Sequence, residues 1–154
     1  MFKILLALHV LTAVFAIGPL VHAATTAGRG IRSSDAVATA ASARLLRIYA
    51  YASVVVIVLG FGLMSSTSDY THHRTAQFSE TWIWLSVLLW AVAVGLVLGL
   101  LVPGLTRAGA LIEAGDGTAN PALARLTAPI AAAGGTVGLI FAAIVFLMVY
   151  RPGS

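Results

Sequence analysis

The chain has 154 residues, of which 60% are hydrophobic and 9% charged, and its formal net charge is +4. Soluble domains carry about 25% charged residues, so this composition excludes an ordinary soluble protein. The absence of cysteine excludes disulfides, thiolate catalysis and cysteine-bound clusters. The arginines are scattered along the chain, which argues against a nucleic-acid partner.

The apolar residues form four blocks, each about as long as the 20 helical residues needed to cross the hydrocarbon core of a bilayer. Four strands cannot close a barrel, and every backbone polar group must be satisfied in lipid, so helix is the expected spanning structure. The sequence therefore predicts an all-α fold, a single integral membrane domain over 1–154 built as a four-transmembrane-helix bundle. The predicted helices cover about 2–23, 35–65, 80–103 and 121–150.

The first block contains "LALHVLTAVFAIGP" at 6–19 and allows two interpretations. Val21-His22-Ala23 fits the small-residue cleavage pattern of a signal peptide. The apolar run from Ile4 to Val21 is longer than the 7–15 residues of a signal-peptide core, which favours a retained first helix. Gly18-Pro19 falls about one turn before the predicted end of this helix, where the fold can tolerate a kink or an early stop.

The next helices have recognisable starts. Ser33, Ser34 and Asp35 offer an N-cap for the second helix. Ser79 or Glu80 starts the third, with Trp82 and Trp84 as interfacial anchors, and Asn120-Pro121 starts the fourth. Pro129 is a candidate kink in the fourth helix, and "GDG" at 115–117 predicts a turn before it.

The basic residues predict the orientation of the chain. Six lie in the first and third connections and three on the opposite side, so the positive-inside rule predicts both termini on the outer side of a bacterial plasma membrane. The residues on the predicted cytoplasmic side are Arg29, Arg32, Arg44, Arg47, Arg107 and Arg125, and those on the other side are Lys3, Arg74 and Arg151. The first four arginines either bind anionic lipid headgroups or, more simply, orient the chain.

Two glycine pairs predict a helix contact. Gly95 and Gly99 in the third helix, and Gly134 and Gly138 in the fourth, have the GxxxG spacing that allows close backbone approach. Both pairs lie at similar depth in the predicted cytoplasmic half of the bilayer. We therefore expect the third and fourth helices to touch at these glycines.

The interiors of the four blocks contain no Asp, Glu, Lys or Arg. Such residues usually mark ion pathways and proton relays, so a pump, an ion channel or a carrier of charged substrates is disfavoured. The sequence also shows no Ser-His-Asp arrangement, phosphate loop or paired intramembrane carboxylate. We expect no enzymatic activity.

The histidines are the remaining candidates for chemistry. His9 and His22 are about 20 Å apart on one helix and cannot share a haem iron or a metal ion. A copper site of His9 with the outer-loop residues His72 and His73 is conceivable, since imidazole suits copper and the methionines Met64 and Met148 fall at the same end. The competing interpretation is a structural His9 that is hydrogen-bonded to a neighbouring helix or to a partner.

Four stretches carry a resemblance to a known family: "LALHVLTAVFAIGP" at 6–19, "ARLLRIYAYASVVVIVLGFGLM" at 43–64, "TWIWLSVLLW" at 81–90 and "VFLMVYRPG" at 145–153. The whole chain resembles a family of four-helix integral membrane proteins of unassigned function, distantly like the copper-resistance-D membrane family. The resemblance implies the four-helix fold, and its copper analogy implicates only His9. The Ala-rich composition that prefers Arg over Lys is similar to that of actinobacterial proteins.

These observations favour a non-catalytic accessory or structural subunit of a larger membrane complex, in contact with the lipid bilayer and with other membrane subunits. An actinobacterial respiratory supercomplex with a cytochrome oxidase is the assembly we consider most plausible, and no cofactor is expected. The alternative is a copper- or haem-handling membrane protein that uses His9 with the outer-loop histidines.

Overall fold

The structure is a computed structural model that describes residues 2–64, 80–115 and 121–151. Within these ranges the chain is helical and has no strand. The helices form four membrane-length spans of 31, 29, 33 and 30 residues, which confirms the predicted four-helix architecture. The elements are α1 (Phe2–Thr26), α2 (Gly28–Arg32), α3 (Ala36–Met64), α4 (Thr81–Leu96), a π-helical segment (Val97–Leu101), α5 (Val102–Glu113) and α6 (Pro121–Tyr150).

The first span is longer than the sequence predicts. Helix α1 does not stop at Gly18-Pro19 or near residue 23 but runs to Thr26, and α2 continues the span to Arg32. The helix passes Pro19 because a proline removes only one backbone donor, which a helix of this length tolerates when good helix formers follow. The Thr25 and Thr26 hydroxyls donate to carbonyls one turn back, of Val21 and His22, at 2.9 and 2.7 Å.

The start of α3 follows the sequence prediction, and Asp35 is the residue that caps it. The backbone N–H of Ala38 donates to Asp35 Oδ1 at 2.9 Å, which satisfies one of the free donors in the first turn of the helix. Ser34 provides the sharp turn before the cap and lies in the left-handed region at φ 52°. The first and second spans are therefore joined by a tight turn.

The third span is one long helix with a π-helical turn in its middle. It begins at Thr81, close to the predicted start, but extends ten residues beyond the predicted end near 103 and finishes at Glu113. The N–H of Val102 donates to the carbonyl of Val97, five residues back, immediately before Pro103. Because the proline ring clashes with the carbonyl four residues earlier, the wider turn lets the helix pass Pro103 instead of ending there.

The fourth span, α6, starts at Pro121 as predicted and continues through Pro129. Residues 116 and 117 of the expected turn lie outside the described residues. Each span packs beside the spans that precede and follow it in the chain, and α6 closes the ring against α1. The first and last described residues, Phe2 and Arg151, consequently lie at one end of the bundle, which is called here the terminal end. The opposite end carries Arg29, Arg32 and Arg125 and is called the arginine end.

The bundle is apolar outside as well as inside, as a lipid-embedded protein must be. Its exposed residues include large aliphatic and aromatic side chains along every span, among them Phe15, Val58, Leu88 and Leu139. Its core is built mainly from alanine, leucine and valine. Small side chains in this core let the helix backbones approach closely, which is the main source of attraction between helices in lipid.

Candidate functional site

A cavity of about 350 Å³ opens between the spans in the terminal half of the bundle. All four spans contribute to its wall, which is mostly apolar and aromatic. The wall residues that bear on function are His9, Gly60, Ser86, Trp90, Phe141 and Arg151. The volume falls within the range of about 300–1,000 Å³ that small-molecule sites occupy.

His9 projects from α1 against α3. Its ring nitrogen Nδ1 lies 3.0 Å from the backbone carbonyl oxygen of Val56. Gly60, one turn further along α3, makes room for the ring: a β-carbon there would lie 3.2 Å from His9 Cε1. The structure thus places His9 in a hydrogen bond to a neighbouring helix, which is the structural role considered for it from the sequence.

A second polar feature lies on the other side of the cavity, where α3 meets α4. Trp90 Nε1 donates to Ser53 Oγ at 3.0 Å, and Ser53 in turn donates to the carbonyl of Ala50 at 2.7 Å. Ser53 is fully buried, and Ser86, also on the cavity wall, donates to the carbonyl of Trp82 at 2.8 Å. The sequence interpretation missed these serines, although a hydroxyl in an apolar span is a signal for a protein-facing position.

The exposed end of the cavity is formed by the start of α4 and the end of α6. Trp82 donates from Nε1 to the carboxylate of Glu80, and the guanidinium carbon of Arg151 lies 5.8 Å from the centre of the Trp82 ring. Met64 and Ile83 pack with Trp82 in a small cluster separate from the main core. The predicted anchoring role of Trp82 at the membrane interface is compatible with this position.

The predicted copper group is only partly within the described structure. His9, Met64 and Met148 line the same cavity, but His72 and His73 lie outside the described residues. Within the residues that are described, no group of three or more His, Cys, Asp or Glu side chains could hold a metal ion. The copper site of His9, His72 and His73 therefore remains a prediction.

The two glycine pairs do not meet, which corrects the predicted contact. Gly134 and Gly138 face the first span: a β-carbon at 134 would clash with the carbonyl oxygen of Ala24, and one at 138 would lie 3.3 Å from the Thr25 methyl group. Gly95 and Gly99 are exposed, and a β-carbon at either would have no neighbour within 4 Å among the described residues. The third and fourth spans do pack together, but on other faces, because spacing alone does not specify how a helix is rotated about its axis.

The four arginines Arg29, Arg32, Arg44 and Arg47 all lie in the half of the bundle towards the arginine end, on α2 and the first part of α3. Arg47 shares a more open groove with Arg107 of α5, beside the π-helical segment, Thr106 and Tyr51. This second groove is lined by Arg47 and Arg107, which the sequence places in the first and the third connection.

The family comparison covers nearly the whole chain. Residues 3–152 match the model of a family described as predicted integral membrane protein (DUF2269), and the chain belongs to that family. The likeness to the copper-resistance-D family is not supported by this match. Searches of curated proteins and of solved structures found no match.

Proposed function

We propose that this member of the DUF2269 family is a non-catalytic subunit of a larger membrane complex. The observation that carries the proposal is the absence of Asp, Glu, Lys and Arg from the apolar stretch of each span, at 4–21, 48–64, 81–102 and 128–149. Without carboxylates or cations in these stretches, the bundle has no charged residues from which to build a proton relay or an ion pathway. Its described outer surface is mainly apolar. Such a surface contributes to a membrane protein assembly through helix packing.

The exposed glycine pair of the third span indicates where another subunit would pack. In the fourth span the same spacing brings Gly134 against the backbone of α1. Gly95 and Gly99 have no such neighbour in the described chain, and Leu88 and Val92 extend the same exposed face of α4. Lipid tails contact an exposed leucine face as favourably as another protein does, so such a face gives little free energy of association. An exposed glycine groove differs, because a second helix can approach it closely and gain van der Waals contacts.

We further propose that the complex is a bacterial respiratory assembly with a cytochrome oxidase in the plasma membrane, and that the arginine end faces the cytoplasm. The six-to-three distribution of basic residues supports this orientation. Arg47 and Arg107 line a groove in the half of the bundle towards that end, where they would meet anionic lipid headgroups. The four spans take up most of the residues that the structure describes, which supports a role within a membrane assembly.

The test is native co-purification of the tagged full-length chain in mild detergent, followed by mass spectrometry. We expect membrane subunits of one complex at a fixed ratio. A photoreactive residue at Val92 should cross-link to one of them, and the double variant G95L/G99L should reduce the recovered partner about tenfold. G135L is the matched control, because Gly135 is also exposed with no neighbour within 4 Å. A chain that purifies as a stable monomer without cross-linked partners would contradict the subunit role.

A copper- or haem-handling protein is the second candidate. The placement of His9, Met64 and Met148 around one cavity favours it, since imidazole and thioether ligands suit copper. Metal and haem analysis of the purified chain, compared with H9A, distinguishes this candidate from the first. Bound copper or haem that is lost in H9A would support it, and a metal content unaffected by H9A would remove it.

A further inference from the structure

Three side-chain hydrogen-bond donors on the cavity wall are already bonded within the chain. The indole N–H of Trp82 donates to Glu80 and that of Trp90 to Ser53, while the Ser86 hydroxyl donates to a backbone carbonyl. Each of these side chains offers a single polar hydrogen, so none of them has a second one for a ligand. Arg151 lies at the exposed end of the cavity, where its guanidinium group is near the Trp82 ring.

His9 supplies a free acceptor on the same wall. Its Nδ1 faces the Val56 carbonyl oxygen, which can only accept, so Nδ1 carries the hydrogen of this bond. In the neutral imidazole the lone pair then lies on Nε2. No described residue bonds to Nε2, and the described structure contains no buried side-chain nitrogen or oxygen that lacks a partner. Nε2 is therefore accessible to a molecule from outside the chain.

We propose that this cavity binds an apolar molecule that carries a hydroxyl group, with the O–H donating to Nε2 of His9. The apolar and aromatic wall takes the hydrocarbon part, and the acceptor fixes the position of the polar group. This site goes beyond the packing role proposed above and does not depend on it. Two membrane components share the required chemistry: a quinol, and a lipid alcohol such as a diacylglycerol.

The site should discriminate by hydrogen-bond polarity. A ligand whose oxygen can only accept, such as an ether or a quinone carbonyl, would place two acceptors against each other at Nε2 and leave both unpaired. A hydroxyl of the same size and hydrophobicity would satisfy Nε2. The expected preference is about tenfold, which corresponds to about 1.4 kcal/mol and to one modest hydrogen bond within a membrane.

The first experiment uses the full-length chain in phospholipid nanodiscs and follows tryptophan fluorescence, since Trp82 and Trp90 line the cavity. The probes are 1-decanol and its methyl ether, which differ in the O–H donor. We expect saturable binding of both with about a tenfold preference for decanol. Equal affinities, or responses that do not saturate, would overturn the proposal without recourse to any variant.

Variants of the two histidines in α1 then test whether His9 causes the preference for decanol over its methyl ether. H9F keeps an aromatic ring but removes the acceptor, so it should bind both probes with equal affinity. H22F is the matched control because His22 lies on the same helix, is exposed and is not part of the cavity wall. If H9F fails to fold, nitrogen-15 NMR of the wild-type chain answers the same question: decanol, but not the ether, should shift the Nε2 resonance of His9. An unchanged resonance would contradict the hydrogen bond.

A second pair of measurements identifies the source of the ligand. Decylubiquinol and dioctanoylglycerol are titrated by the same fluorescence measurement, each beside a counterpart that lacks the donor, decylubiquinone or the O-methyl derivative. The hydroxylated compound that binds at least about tenfold more tightly than the other identifies the source as a quinol or as a lipid alcohol. If neither hydroxylated compound binds more tightly than its counterpart, or if only Cu(I) shifts the Nε2 resonance, the cavity is not a hydroxyl-selective site.

Discussion

The two halves of this bundle differ in how closely their helices approach each other. Towards the arginine end, Ala24, Ala27 and Ala108 are completely inaccessible, and the Gly134 backbone lies directly against that of Ala24. Towards the terminal end, large side chains such as Trp82 and Phe141 face inward but keep 9% and 4% of their surface accessible. Small residues let the helices close, whereas bulky residues hold them apart and leave the cavity between them.

The polar groups differ between the halves in the same way. In the closed half the hydroxyl of the buried Thr39 donates to the backbone carbonyl of Asp35, within its own helical turn. In the open half His9 and Trp90 bond across spans, to Val56 and Ser53. Interhelical hydrogen bonds compensate there for the direct backbone contact that the large side chains prevent. The comparison therefore predicts that the closed half carries most of the stability and the open half carries the ligand chemistry.

The largest expected effect is that of G134A. A β-carbon at residue 134 clashes with the backbone of Ala24, which cannot move aside as a flexible side chain would. We expect a loss of about 1–3 kcal/mol in the free energy of unfolding, measured by titration with a denaturing detergent. G135A is the control, because a β-carbon there meets no atom within 4 Å, and it should change stability by less than about 0.5 kcal/mol. Equal effects of the two variants would show that the closed half does not depend on this contact.

The next effect concerns the turn that joins the first two spans at the arginine end. D35A removes the side-chain acceptor for the Ala38 N–H and should lower stability by about 1 kcal/mol. D35N keeps an oxygen in the same place and should retain most of the stability. The same denaturing titration measures both. If D35N were as unstable as D35A, the charge of Asp35 rather than its capping bond would be responsible.

Local signals in the sequence predicted the number of spans and the starts of the second and fourth spans well. The lengths of the apolar blocks gave four spans because a bilayer requires a fixed number of helical residues. Asp35 and Pro121 marked helix starts because capping and the fixed φ of proline act within one turn, without help from the rest of the fold. In contrast, the end of the third span was wrong by ten residues, since Pro103 is accommodated by a π-helical turn rather than ending the helix.

The candidate site was less predictable because it depends on how each helix is rotated about its axis. In a soluble helix the apolar stripe reveals that rotation, but the lipid-exposed and buried faces here are both apolar. The glycine pairs were consequently assigned to the wrong contact. Three polar residues do indicate how their helices are rotated, since His9, Ser53 and Ser86 face protein or the cavity. Thr136 gives no such indication, because it is exposed and its hydroxyl donates to the Ala132 carbonyl of its own helix.

A smaller effect is expected for the hydrogen bond between the second and third spans. S53A leaves the Trp90 N–H without its partner in a partly buried position, and the expected loss is about 0.6–1.7 kcal/mol. S42A is the control, because the Ser42 hydroxyl donates only to the carbonyl of Ala38 on its own helix. The two variants are compared by unfolding and by the emission wavelength of the tryptophans. A loss in S42A as large as that in S53A would show that the bond across spans adds nothing.

The smallest expected effect is that of G60A, which tests whether the open half is as adaptable as its accessible surface implies. The added methyl group would lie 3.2 Å from His9 Cε1, so the ring must shift by a few tenths of an ångström. The ring borders the cavity and has space to move, in contrast to the Ala24 backbone opposite Gly134, so we expect a change below about 0.5 kcal/mol. The nitrogen-15 resonances of His9 should nevertheless shift as its bond to Val56 is strained. G62A, where a β-carbon meets nothing within 4 Å, should leave those resonances unchanged. A loss of stability in G60A comparable to that in G134A would mean that both halves are equally rigid, and the proposed division between a closed and an open half would fail.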